Sequence, residues 1–216
     1  MERLKSLDPP HKGLRNALSK LAFIAGKTEY TSISSVEKLQ FVAKEVFHLL
    51  KDHTATENKF ILAPLEKVNP GFTNDYYAHH LEIDNTEQAL LDRIMALNGQ
   101  QTNEEGHQLY LDICEFQSHY LEHINEEDSV LEAEMQKHFT DEELMQHQIA
   151  IMGEMSFDTL LLWFKYIVPA RRPAENAQVL TGFKSAVPEV AFITVIEIIK
   201  NEISDNELQE ILSMIK

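Results

Sequence analysis

The chain has 216 residues, with 35 Asp and Glu against 19 Lys and Arg, which gives a formal net charge of −16. This acidic balance argues against binding nucleic acid or an anionic membrane through bulk charge, since both need a basic surface. A single cysteine, Cys114, excludes an intramolecular disulfide framework and a cysteine-rich zinc site. Glycine and proline are scarce, at seven residues each, so we expect long helices rather than many short strands.

The N-terminal residues contain no apolar stretch of signal-peptide length. The most apolar run, residues 160–168, is interrupted by Lys165 and is too short to span a bilayer. We therefore expect a cytoplasmic protein with no membrane attachment.

Four long stretches in the first part of the chain repeat their apolar residues at helical spacing, which is typical of amphipathic helices. We predict these helices at residues 8–25, 35–63, 74–97 and 103–138. A capping box of Ser34 and Glu37 is expected to begin the second helix, and Pro64 to end it. Short loops between long helices predict an all-α fold, with an antiparallel up-down four-helix bundle over residues 1–138.

Residues 139–216 are expected to form an additional C-terminal helical section, packed on the bundle or at a subunit interface. A capping box of Thr140 and Glu143 opens this section. Its helices are predicted at residues 141–168, 174–185, 188–201 and 204–215. The section has one histidine, His147, and shows no carboxylate–histidine spacing that indicates a site.

Two histidine–glutamate pairs occur at the same spacing in the second and fourth predicted helices. His53 and Glu57 are four residues apart, as are His123 and Glu127, so each pair lies on one helix face. Both histidines fall on the apolar stripe of their helix, and each pair should point into the bundle. The apolar residues seven positions after these histidines, which continue each stripe, are Phe60 and Val130.

Two single histidines also fall on apolar stripes. His11 lies three residues before Leu14 and His80 lies three residues before Ile83, so both should point inward. Counting residues from the helix ends places these two histidines level with the two pairs, near one end of the bundle. His79 also shares a face with Ile83, so the choice between His79 and His80 stays open.

Two inward carboxylates with no Lys or Arg on the same stripes need a compensating cation. Four imidazoles and two carboxylates suit two first-row metal ions bridged by the carboxylates, and the nitrogen and oxygen donors favour iron or manganese over zinc. The candidate metal ligands are His11, His53, Glu57, His80, His123 and Glu127. Three further side chains within reach, with structural roles as their alternative, are Tyr76, Asp84 and His119.

The sequence resembles the hemerythrin-like (HHE cation-binding) family over residues 8–138. The segments that carry the resemblance are His11 after Asp8-Pro9-Pro10, His53-Thr-Ala-Thr-Glu57, His79-His80-Leu-Glu, and His119-Tyr-Leu-Glu-His123-Ile-Asn-Glu-Glu127. The resemblance implies that the four histidines His11, His53, His80 and His123 are terminal ligands of a di-iron centre. It also implies that Glu57 and Glu127 bridge the two irons.

Two positions depart from the oxygen-carrying members of that family. Those proteins have a further histidine where this chain has Tyr76. Their fourth-helix carboxylate ligand is an aspartate five residues after the histidine; this chain has Asp128 at that spacing, but its candidate ligand is Glu127, at four. The pattern is more similar to the bacterial iron–sulfur-repair proteins and to the iron-sensing domains of eukaryotic ubiquitin ligases.

The resemblance therefore implies a non-haem di-iron protein that senses or handles iron, O2, NO or redox state, with a small molecule as its ligand at iron. Manganese and zinc are possible substitutes for iron. We expect binding or sensing rather than enzymatic turnover. Two alternatives stay open: a di-iron oxidase or peroxidase, and a metal-dependent scaffold whose C-terminal helices bind a protein partner or a second copy.

Overall fold

A computed structural model describes residues 3–215, and all regular secondary structure in this range is helical, which confirms the all-α prediction. The helices are α1 (Asp8–Lys27), α2 (Ile33–Glu57), α3 (Ala63–Val68), α4 (Asn74–Met95), α5 (Asn103–Glu126), α6 (Glu132–His138), α7 (Asp141–Glu154), α8 (Phe157–Ile167), α9 (Pro173–Ala186), α10 (Glu189–Lys200) and α11 (Asp205–Met214). Two π-turns, Asn58–Leu62 and Glu127–Leu131, join α2 to α3 and α5 to α6. None of the helices in the described range combines the length and apolarity that a bilayer crossing requires.

The described residues divide into two compact units. The first contains residues 3–8 and 17–154, and the second contains residues 9–16 and 155–215. Helix α1 is continuous and contributes residues to both units. Helix α7 belongs to the first unit, and the second unit holds helices α8 to α11. The fully buried apolar residues of the second unit include Leu180, Val195, Ile199 and Ile211.

Helices α2, α4 and α5 and the C-terminal part of α1 supply the core of the first unit. Its fully buried side chains include Leu21, Leu39, Leu49, Leu50 and Ile94. Where α5 begins, the backbone approaches the loop after α1 closely, because a Cβ on Gly106 would lie 2.3 Å from Cδ2 of Tyr30. The capping box of Thr102 and Glu105 begins α5 at the same end of the helix.

The two π-turns occupy similar positions relative to the two histidine–glutamate pairs. His53 and Glu57 each have a counterpart 70 residues later, in His123 and Glu127. The first π-turn begins directly after Glu57, and the second begins at Glu127 itself. Each turn is followed by a short helix, α3 or α6. The helix–π-turn–helix element that carries the carboxylate is therefore present twice in the first unit.

The π-turns change which of the residues that follow His53 and His123 in the chain are buried. Val130, predicted to be inward, is 46% exposed, and Phe60 is only partly buried. The buried residues are instead Ile61 and Leu131, eight positions after His53 and His123. A π-turn takes more residues than an α-turn, so it rotates the following residues relative to the α-helical stripe.

The end predicted for the second helix is wrong for the same reason. The chain continues in helical form through Pro64 to Val68. Pro64 has no N–H and its ring crowds the preceding turn, but it stands directly after the widened π-turn, at the start of α3. The wider turn lets the helix pass the proline without a break.

Two other boundary predictions differ from the structure, and one is confirmed. Helix α2 begins at Ile33, so the Ser34 capping box does not form. The predicted 141–168 helix is divided, because Oγ of Ser156 accepts a hydrogen bond from the Thr159 N–H at 3.1 Å and begins α8. The Thr140 capping box is confirmed: its hydroxyl accepts from the backbone N–H of Glu143 at 3.2 Å, and that carboxylate accepts from the backbone N–H of Thr140 at 2.8 Å.

Candidate metal centre

Five of the six candidate ligands lie together in the first unit, and all five are buried. The ligand atoms of His53, Glu57 and Glu127 are all within 4.8 Å of one another. The same is true of His80, His123 and Glu127. Glu127 therefore belongs to two adjacent groups, each able to hold a cation.

Each carboxylate lies between two imidazoles from different helices. Oε2 of Glu57 is 3.5 Å from Nε2 of His53 and 3.4 Å from Nε2 of His80. Oε1 of Glu127 is 3.2 Å from Nε2 of His80 and 2.9 Å from Nε2 of His123. A carboxylate placed between two imidazoles in this way is suited to bridging two metal ions.

The π-turns connect the centre to an apolar layer beside it. Apolar residues of the π-turns, which follow Glu57 and Glu127 in the chain, belong to a buried cluster. This cluster also includes residues of α3, α4, α6 and α7. Its members are Leu7, Ile61, Leu62, Leu65, Tyr76, Leu131, Met135 and Leu144. The layer is apolar and buried, and electrostatic interactions are stronger in such surroundings than in water.

The buried carboxylates give the centre a deficit of positive charge. Glu57 is 1% exposed, and within the described residues neither of its oxygens makes a hydrogen bond. Burial alone lowers the pKa of His80, but the adjacent Glu127 and Glu57 carboxylates outweigh this and raise that pKa to about 9. The centre thus favours a bound cation, and its oxygen and nitrogen donors fit a first-row transition metal.

His80 is oriented by a residue that the sequence reasoning missed. Its Nδ1 donates a hydrogen bond to Oδ1 of Asn58 at 2.7 Å, which leaves Nε2 facing Glu57 and Glu127. Asn58 directly follows Glu57 and is the first residue of the π-turn. Its only sequence signal is a polar side chain next to a proposed ligand.

The structure also locates the side chains left open by the sequence. His80 is 2% exposed and belongs to the buried group, whereas His79 is exposed on the same helix. His119 and Asp84 are exposed as well. Tyr76 lies in the apolar cluster, and its buried hydroxyl makes no hydrogen bond within the described residues.

His11 is completely buried in α1, within the segment 9–16 that groups with the second unit. It lies on the same helix face as Leu14 and Leu18, three and seven residues later, and both are buried. Its inward orientation agrees with the sequence, and its role as a ligand stays a prediction.

Comparison with known proteins identifies the family. A family model described as the hemerythrin HHE cation-binding domain matches residues 3–134, which include every candidate ligand. Searches of curated proteins and of solved structures gave no significant match. The matched region covers more than half of the chain and contains the buried histidine–glutamate groups. The chain belongs to the hemerythrin HHE cation-binding domain family.

Proposed function

We propose that the centre binds two iron ions and that the protein senses or handles iron, O2, NO or redox state, in the stress response and in iron–sulfur repair. The observation that carries this proposal is the position of Glu127, which belongs to both groups of ligand atoms. A carboxylate shared in this way supports two adjacent ions better than one.

In this proposal Glu57 and Glu127 bridge the ions, and His11, His53, His80 and His123 are terminal ligands. Six side chains leave coordination positions at two ions for a small molecule such as O2 or NO. The mixed nitrogen and oxygen donors, without a thiolate, favour iron or manganese over a structural zinc site.

Elemental analysis after anaerobic Fe(II) loading, with optical spectra before and after addition of O2 and azide, tests the proposal. We expect about two irons per chain and charge-transfer bands that respond to either small molecule. Glu57→Ala and Glu127→Ala should each lose one or both irons, whereas Glu115→Ala, an exposed site on α5, should lose none. Full iron content in both bridge variants would contradict the bridging roles.

A second candidate function is a metal-dependent interaction module. The observation that favours it is that α1 is one continuous helix, carries His11, and contributes residues 9–16 to the unit that contains helices α8 to α11. Those helices, within the additional section 139–216, would then bind a protein partner or a second copy when metal is present. Limited proteolysis with and without iron tests this, and identical cleavage patterns would contradict it.

A further inference from the structure

A cavity of about 430 Å³ lies between α4 and α5 and reaches the metal centre. Its lining includes His123, which is 8% exposed and whose Nε2 is 2.9 Å from the Glu127 carboxylate. A divalent ion with six waters occupies about 180 Å³ at the volume of liquid water. The cavity is therefore large enough to admit a hydrated ion up to the buried imidazole.

The outer wall of this cavity carries the same pair of residue types on both helices. His79 and Glu82 on α4, and His119 and Glu122 on α5, are each three residues apart and so share a helix face. Glu126 lies one turn beyond Glu122 on the same wall. All five side chains are exposed, and among residues 3–215 no Lys or Arg lines the cavity.

The glutamates and histidines that line the cavity favour a cation as its occupant, through their negative charge and their oxygen and nitrogen donors. Three carboxylates in a recess raise the local concentration of positive ions, because low-dielectric walls focus the field. Among the described residues, only the buried groups bring three or more ligand atoms within 4.8 Å of one another. The outer side chains therefore do not form a second cage, and a cation would exchange rapidly among them.

The candidate ligand histidines of α4 and α5, His80 and His123, differ in how firmly their rings are held. Nδ1 of His80 is bonded to Asn58, whereas Nδ1 of His123 is buried and makes no hydrogen bond within the described residues. A metal-ligating histidine is normally fixed through its second nitrogen. The ring of His123 lacks that restraint, and it is the ring that lines the cavity.

We propose that divalent cations reach the centre through this cavity, passing from its outer histidines and glutamates to His123, which is the first buried ligand to take the ion. The proposal rests on the metal centre of the proposed function and adds its route of loading.

The rate of Fe(II) uptake by the metal-free protein, measured anaerobically by chelator capture of unbound Fe(II), tests the route. The triple variant Glu82→Gln, Glu122→Gln, Glu126→Gln should load about 3- to 10-fold more slowly at low ionic strength, with the final iron content unchanged. The difference should shrink in about 0.5 M salt because the charges are screened. The matched control neutralises three exposed glutamates that lie outside the cavity: Glu37, Glu104 and Glu115.

A second variant tests the same route without changing charge. Thr86 lies on the cavity wall and is exposed, so Thr86→Trp should narrow the passage and slow both uptake and release of Fe(II). Equal uptake rates for wild type, the triple variant and Thr86→Trp would overturn the route while leaving the metal centre intact. Equal slowing in the triple variant and its control would assign the effect to net charge and also overturn it. A wild-type protein that takes up no iron would overturn the proposed function together with the route.

Discussion

Nδ1 of His80 lies 2.7 Å from Oδ1 of Asn58, the residue that directly follows Glu57 in the chain. A residue of the first π-turn therefore orients an imidazole of α4 whose other nitrogen faces both buried carboxylates. The Asn58 side chain thus links the position of the His53–Glu57 pair to the orientation of His80 on a different helix.

Replacing Asn58 should weaken metal binding without removing any ligand. We expect Asn58→Ala to lower Fe(II) affinity about 10- to 100-fold, because His80 loses the acceptor that holds its ring and tautomer. Competition titration against a chelator measures the affinity. Asn85→Ala, an exposed substitution on α4, is the matched control. Equal affinities for the two variants would show that Asn58 does not position His80.

Glu57 should have opposite effects on stability with and without metal. In the metal-free protein, Glu57→Gln removes one of the two buried carboxylate charges beside His80 and leaves Glu127 to pair with that histidine. The Glu57 oxygens make no hydrogen bond within the described residues, so the free energy of unfolding should rise by on the order of 1 kcal/mol. Metal should raise the unfolding temperature of the wild type and give the variant a much smaller increase. Calorimetry of both proteins in both states measures this. A variant less stable than wild type when metal-free would contradict the expectation.

Glu87 should make the stability of the metal-free protein fall as pH rises. This residue is 5% exposed, and burial raises its pKa from 4.5 to about 8, with Asp84 adding to the rise and Lys51 and His80 opposing it. Between these values the native state holds a proton that the unfolded chain releases, so unfolding becomes easier at higher pH.

The variant Glu87→Gln tests this because it removes the titration. Its advantage in unfolding free energy over the wild type should grow from about pH 4.5 and level off above about pH 8, at on the order of 4–5 kcal/mol. Denaturant titrations across this range measure the difference. Glu82→Gln, an exposed substitution on the same helix, should follow the wild-type curve. An advantage that is constant with pH would contradict a raised pKa for Glu87.

The contact between the start of α5 and Tyr30 leaves no room for a methyl group at position 106. A Cβ at position 106 would lie 2.3 Å from a Tyr30 ring carbon, so Gly106→Ala should lower the free energy of unfolding by about 1–3 kcal/mol. Gly153→Ala is the control, because nothing lies within 4 Å of its Cβ and alanine favours a helix by about 0.5–1 kcal/mol. Thermal unfolding of both variants measures the two signs. A stabilised Gly106→Ala would show that this end of the bundle can separate.

The sequence predicted the inward placement of the histidine–glutamate pairs because i and i+4 spacing acts within a single helix, and their burial is as expected. It did not predict the π-turns, because periodicity assumes a constant number of residues per turn. Phe60 and Val130 were therefore placed on the inward stripe, whereas Ile61 and Leu131 take the buried positions.

The sequence by itself determined the fold class, the helical spacing and the chemical identity of the candidate ligands, since these depend on interactions between neighbours in the chain. Only the tertiary structure decided that Glu127 is shared between two ligand groups, that Asn58 holds His80, and that a cavity between α4 and α5 reaches His123. These relationships join residues from different helices. They depend on how the helices pack and on the rotation that each π-turn introduces, which no local pattern in the chain records.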